Sequence, residues 1–175
     1  MMRYRYGELA AFDQLYRRHK DPLYRFLLRG CGQPDIAGEL FQDVWARLID
    51  SRGRYQVSAK FTTWLYTLAH NRLVDHLRRQ RPQLSLEDAE AAAAPQLHAA
   101  PERRPDAQAE AAERAGQLRA ALAALPDDQR ATFLLHEEGG LTLEQIASVS
   151  GVGRETIKSR LRYALAKLRR TLADV

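Results

Sequence analysis

Residues Thr142–Arg170, TLEQIASVSGVGRETIKSRLRYALAKLRR, decide how this chain is read. Thr142 followed three residues later by Gln145 has the form of a capping box, so a short helix starts there. Gly151 supplies a permissive backbone for a turn, and Gly153 keeps the break open. A second helix follows from about Arg154 to Leu172. Ala147 is small enough for two helices to cross closely. Ile157 and Leu161 fall on the face that would anchor the second helix to the first. Helix, tight turn and helix at this spacing predict a helix-turn-helix. Its outward face then carries Arg154, Lys158, Ser159, Arg162 and Tyr163. Arg and Lys match guanine edges in a major groove, and Ser or Tyr reach bases or phosphates.

Upstream, Leu118, Leu122 and Leu125 make an apolar stripe that stops at Pro126, and a helix after Asp127-Asp128 buries Ala131, Leu134 and Leu135 before Gly139-Gly140. From Pro82 to about Glu113 the chain is Ala-rich, holds Pro82, Pro95, Pro101 and Pro105, and lacks apolar periodicity. It reads as a flexible linker with at most transient helix. Before it, four helices are expected. The first carries Leu9, Phe12, Leu15 and Tyr16. The second starts at Asp21-Pro22, read as an N-cap with proline at the first helical position, and ends near Gly30-Cys31-Gly32. The third starts at Pro34-Asp35, with Ile36, Leu40, Val44 and Leu48 inward and Glu39, Gln42, Asp43 and Arg47 outward. The fourth runs from about Thr62 to Arg79, with Asn71, Asp75 and Arg78 outward. The expected architecture is all-α: two small helical domains, 1–81 and 115–175, joined by a linker over 82–114.

Charge divides the same way. Residues 1–81 hold 15 Lys and Arg against 8 Asp and Glu, residues 82–114 hold 3 against 7, and Arg154–Arg170 alone holds 7 against 1. Two basic bodies joined by an acidic strap point to a polyanionic partner. No run approaches the ~18 apolar residues of a membrane span, and no apolar core follows the basic N-terminus. The one cysteine, Cys31, cannot build a disulfide framework and fits a reducing cytoplasm. No phosphate-binding glycine loop, HExxH or zinc spacing is present, so neither metal nor cofactor is expected. Trp45 and Trp64 lie on apolar stripes and read as core. On the residues alone, an autonomous helix-turn-helix regulator remains a rival. A nucleic-acid hydrolase would need carboxylates or histidines grouped near the basic face, and none are grouped there.

In order along the chain, the residues resemble the extracytoplasmic-function (ECF) sigma factors of bacterial RNA polymerase. Ala11–Tyr16, Leu23–Phe26, Asp35–Leu48, and Phe61 to Asn71 with Asp75–Arg79 are similar to sigma domain 2. Leu125-Pro126, Arg130, Phe133, Gly139, Leu143–Ala147 and Thr156–Leu161 are similar to domain 4. The resemblance implies a non-enzymatic initiation factor that binds the core polymerase at its clamp and flap and reads two promoter elements. Glu39, Gln42 and Asp43 would face the clamp. Asn71 and Arg78 would contact the −10 element, with Ser58, Ala59, Lys60 and Phe61 holding a base flipped from the opened strand. Arg154, Lys158, Ser159, Arg162 and Tyr163 would read the −35 element. An anti-sigma protein is implied as a further partner. Gly38 stands where relatives usually carry an acidic residue.

Overall fold

The computed structural model describes residues 1–80 and 106–173. All regular structure among them is helical: α1 (Met2–Arg5), α2 (Leu9–Cys31), α3 (Pro34–Asp50), a 3₁₀ turn (Arg52–Arg54), α4 (Phe61–Gln80), α5 (Asp106–Ala123), α6 (Asp127–Glu137), α7 (Leu143–Ser150) and α8 (Arg154–Ala173). None of these helices is long and apolar enough to cross a membrane.

The break expected at Asp21-Pro22 does not occur. Pro22 lies inside one 23-residue helix, α2. A proline removes one backbone donor and costs about 3 kcal/mol in a helix interior. Here Ala11 and Phe12 before it and Leu23, Phe26 and Leu27 after it belong to one apolar face, and several buried side chains at ~1.5–3 kcal/mol each outweigh that cost. The helix does end where expected: Gly32 takes φ +77° and its N–H donates to Leu28 O at 2.8 Å. Helix α3 starts with Pro34 in its first turn and buries Ala37, Leu40, Val44, Trp45 and Leu48. Phe12 and Tyr16 of α2 meet Trp45 edge-on, at ring separations of 5.7 and 5.0 Å. Trp45 is therefore core, as its stripe predicted.

In the C-terminal half, α5 extends back to Asp106, inside the stretch read as linker. Past Pro105 that stretch contains no further proline, and its Ala, Glu and Gln favour helix. The rest of the linker reading, 82–105, lies outside the described residues. Ala121, Leu122 and Leu125 pack with Leu134, Leu135, Leu141, Ile146, Ile157, Ala164 and Leu168 into the core of this half.

The two halves pack together. Helix α4 lies against α7, and α2 against α5 and α6, so one apolar cluster runs through both halves. At the seam the Glu138 side chain, 7% exposed, accepts from Arg25 Nε at 2.8 Å and from Arg29 Nη1. The Tyr66 hydroxyl donates to Glu138 O at 2.8 Å. Burial, then the charge of Glu138, pushes the Tyr66 phenol well above its ordinary pKa, which keeps it a donor. His70 of α4 is also at this seam; burial lowers its pKa, while Asp128 opposes and Arg160 adds to that shift.

Removing Glu138 leaves Arg25 and Arg29 able to rehydrate, since both are partly exposed, whereas removing an arginine strands a buried carboxylate. Glu138→Ala is therefore expected to loosen the seam without unfolding either half. Small-angle scattering should report a larger radius of gyration at unchanged helical circular dichroism; an unchanged radius would show that the apolar contacts hold the halves unaided.

Candidate nucleic-acid and polymerase interface

The helix-turn-helix forms as its spacing predicts. Thr142 Oγ1 accepts from Gln145 N at 3.3 Å, and Thr142 N donates to Gln145 Oε1 at 2.9 Å, closing the capping box. Gly151 takes φ +68° and its N–H donates to Ala147 O, which turns the chain toward α8. Ile157, Ala164 and Leu168 bury one face of α8, and Leu161 is half-buried beside them.

On the opposite face Lys158, Arg162 and Tyr163 are exposed and Ser159 is half-buried. The Arg162 guanidinium lies 5.0 Å from the Tyr163 ring centroid and Nη2 donates to Tyr163 Oη at 3.3 Å, so the two side chains present one flat, cationic surface. Arg154 behaves differently. Its guanidinium donates to Glu144 at 2.5 Å and to Glu155 at 3.1 Å, bracing α8 against α7. The bond from Arg154 holds the Glu144 carboxyl down at about 2, so the pair is ionised throughout the physiological range. Among the other cations of α8, Arg160 donates to Asp128 at 2.5 Å and Lys167 to Ala124 O at 2.5 Å, tying α8 to α6 and to the end of α5.

In the N-terminal half, Asn71 and Arg78 stand exposed on α4, with Arg78 Nη2 3.2 Å from Asp75 Oδ1. Ser58, Ala59 and Lys60 are exposed in the loop leading into α4. Phe61, the first residue of α4, is half-buried between His19 and Trp64, with ring centroids at 5.3 and 6.0 Å. Trp64 is half-buried and meets Tyr55 at 4.9 Å. The loop is anchored at buried Tyr55, whose carbonyl accepts from Arg5 Nη1 at 2.6 Å. That brace spans 50 positions in sequence, so no periodicity could have disclosed it.

Glu39 and Gln42 are exposed on α3, but Asp43 is half-buried and ion-paired with Arg72 of α4. Its carboxylate is thus partly committed within the fold. Arg72 has no sequence signal of its own; it emerges only when α3 and α4 are placed side by side.

Two family descriptions match this framework. Sigma-70 region 2 matches residues 15–83, and Sigma-70 region 4 matches residues 121–170. The RNA polymerase sigma factor CarQ of Myxococcus xanthus is 30% identical over 175 residues, covering 100% of this chain and 97% of the relative. The chain belongs to the ECF sigma factors. The ECF sigma factor RpoE of Cereibacter sphaeroides is 34% identical over 168 residues, 94% of this chain and 87% of the relative. Among solved structures, the sigma factor RpoE of Bartonella quintana in complex with the anti-sigma factor NepR aligns with a TM-score of 0.73 at 23% identity, covering 93% of this chain and 97% of that one. CnrH in complex with the cytosolic domain of CnrY aligns at 0.68 and 21% identity, over 97% and 92%. These two likenesses show the same all-helical fold. As an ECF sigma factor the chain is a transcription initiation factor, not an enzyme, and directs RNA polymerase to promoters.

The capping box fixes the entry of α7 and with it the angle at which this sigma factor holds α8. Thr142→Ala is expected to lower stability by about 0.5–2 kcal/mol, measured by urea unfolding followed by circular dichroism.

Proposed function

We propose that the chain works as two reading heads, 1–81 and 115–175, joined through 82–114. The observation that carries this reading is the division of α8: Ile157, Ala164 and Leu168 hold it to the domain while Lys158, Arg162 and Tyr163 stand free on the other side. Lys158, Ser159, Arg162 and Tyr163 read the −35 element from the major groove. Arg154 supports that surface from within, its charge already answered by Glu144. Asn71 and Arg78 contact the −10 element, and Ser58, Ala59, Lys60 and Phe61 take up a base released from the opened strand. Opening costs a few kcal/mol per unstacked step, offset by the captured base and by polymerase contacts. Glu39 and Gln42, with the free part of Asp43, meet the polymerase clamp, and the C-terminal head meets the flap.

Two promoter elements roughly 25 base pairs apart lie on the order of 85 Å from one another at ~3.4 Å per pair. A compact body of this length is about 40 Å across, short of that distance, so on this reading promoter binding parts the seam at Glu138. The 25 residues from 81 to 105 can reach about 85 Å when extended. An anti-sigma protein that favours the packed arrangement would hold the factor inactive; the Bartonella RpoE structure is a complex with the anti-sigma factor NepR. The protein acts in the cytoplasm, where polymerase and promoters are, in keeping with its single half-buried thiol, Cys31.

The test is promoter-specific transcription with purified chain, core polymerase and a library of genomic fragments. Start sites sharing two spaced upstream motifs, absent without the chain, support the reading; duplex binding without polymerase-dependent transcripts, even with cognate polymerase, overturns it. On a promoter so found, Arg162→Ala should cost about 1–3 kcal/mol in binding and relax specificity at one −35 base pair, with Arg154→Ala costing less. Asn71→Ala should slow open-complex formation, followed by permanganate reactivity of unpaired thymines, while leaving polymerase affinity unchanged. Open complexes forming at the wild-type rate would remove Asn71 from the −10 contact.

A further inference from the structure

The seam between the halves closes over one histidine. His70 of α4 lines a cleft where α4 meets α6, with Leu73, Leu77 and Ala131 as its apolar wall. The ring is half-buried, and its Nδ1 is fully enclosed without a hydrogen-bond partner. A neutral imidazole tolerates this, since one of its nitrogens carries no proton. An imidazolium has two N–H donors and a charge, and one donor would be stranded. The charges around the ring do not make up that loss. From α6, Asp127 pairs with Arg130 at 2.7 Å and Asp128 with Arg160 of α8 at 2.5 Å. Arg78, further along α4, pairs with Asp75 at 3.2 Å. Helix α2 brings Gly30 into the cleft, while its Arg25 and Arg29 are bonded to Glu138. The one ionisable residue of α7, Glu144, is bonded to Arg154. Each carboxylate facing the cleft thus already has its arginine, and a proton on His70 adds an unanswered charge to a partly desolvated site.

Burial accordingly lowers the pKa of His70 from its ordinary 6.5; Asp128 opposes the shift and Arg160 adds to it. Parting the halves takes α6 and α8 away from the ring and admits water, which restores the ordinary value. The parted arrangement therefore holds the extra proton. The packed arrangement keeps its full stability above the ordinary histidine value and loses it as the pH falls below that value. We propose that His70 is an acid-sensitive catch on the seam, neutral while the halves are packed and protonated as they part, so that acidification releases the two heads. This inference rests on the reading above in which the seam parts when the factor works.

Single-molecule energy transfer between dyes on Gln14 and Arg119, exposed positions on separate halves, counts packed and parted molecules of the full chain. It is run on the wild type and on Glu138→Ala, in which more molecules are parted. In both, the packed-to-parted ratio should hold above about pH 7 and fall below about pH 6.5, by up to about tenfold per unit. His70→Gln should keep the ratio constant through that range, while His76→Gln, on the α3 side of the same helix, should follow the wild type. Because His70→Gln also changes the packing, the ring itself is titrated by nuclear magnetic resonance. It should titrate below the ordinary histidine range in the wild type and closer to that range in Glu138→Ala. A ratio that ignores pH, a fall retained in full by His70→Gln, or a ring that titrates at the ordinary value in both proteins overturns the proposal. Adding core polymerase and promoter DNA separates this failure from that of the reading beneath it. If the dyes then move apart while the ratio ignores pH, only the catch falls; if they keep one distance, the seam does not part and both fall.

Discussion

Helix α4 is packed on several sides and still leaves one strip to solvent, the strip proposed to meet DNA, and most of the architecture follows from that constraint. It lies against α2, α3 and α7 and buries Thr63, Leu65, Tyr66, Ala69 and Leu73. Its approach to α2 is close enough that a Cβ on Gly30 would sit 2.4 Å from Leu73 Cδ2. With so much of its circumference occupied, a strip containing Asn71, Val74 and Arg78 is left to solvent. The same packing fixes where α4 begins, and so where the loop before it can deliver Ser58–Lys60. Core and proposed reading surface are two sides of one helix, and a shift in the first would displace the second.

The seam between halves adds a buried ionic element to its apolar contacts. Within each half, leucines and aromatics make the core, and ion pairs such as Asp43–Arg72 and Arg160–Asp128 lie at its margin. Across the seam, a buried carboxylate is held by two arginines that keep part of their surface in water. Such a pair is worth little net, because what the charges gain from one another they largely lose in hydration. It is directional, however, and it is replaceable by water when the halves separate. Such a pair fixes one arrangement without making it permanent, which fits the proposal of two heads working far apart on a promoter. To part the halves, polymerase and DNA have to outweigh this pairing together with the apolar contacts of α4 with α7 and of α2 with α5 and α6.

What was legible in the sequence was what is local. The Thr142–Gln145 box, the left-handed Gly151 and buried Ile157 are all set by residues within a few positions, and the inward stripe of α3 by a simple helical period. Two local rules misled. Pro22 follows Asp21 in the form of a helix start, but the apolar face on both sides of it carries α2 straight through. The prolines upstream of Pro105 suggested that the whole Ala-rich stretch lacked structure, while the residues after it were free to join α5. What no window could show were the long-range ties: Arg5 to Tyr55, Asp43 to Arg72, Arg25 and Arg29 to Glu138. They decide how freely the candidate residues meet a partner. Helical period puts Asp43 and Arg154 on outward faces, but it does not reveal that each already holds an opposite charge, or that Asp43 is half-buried beside α4.

The same ties change how the basic helix is to be counted. Arg154–Arg170 contains seven cations, and as a bare sequence it suggests a duplex-binding surface of that strength. Arg154, Arg160 and Lys167 are bonded to Glu144, Asp128 and the Ala124 carbonyl. Lys158, Arg162, Arg169 and Arg170 remain exposed, and Lys158 has only a loose pairing with Glu155 at 3.7 Å. Four cations neutralising four phosphates give a salt dependence with a slope on the order of −4, well short of an autonomous repressor's. A domain so furnished can choose a sequence but holds it weakly by its own contacts. The affinity that anchors it at a promoter has to come from elsewhere, from the second reading head and from polymerase. The division of charge within α8 thus bears on the rival reading: a regulator acting alone on duplex DNA would gain from freeing those three cations, whereas a subunit of a larger machine can use them to hold its reading helix still.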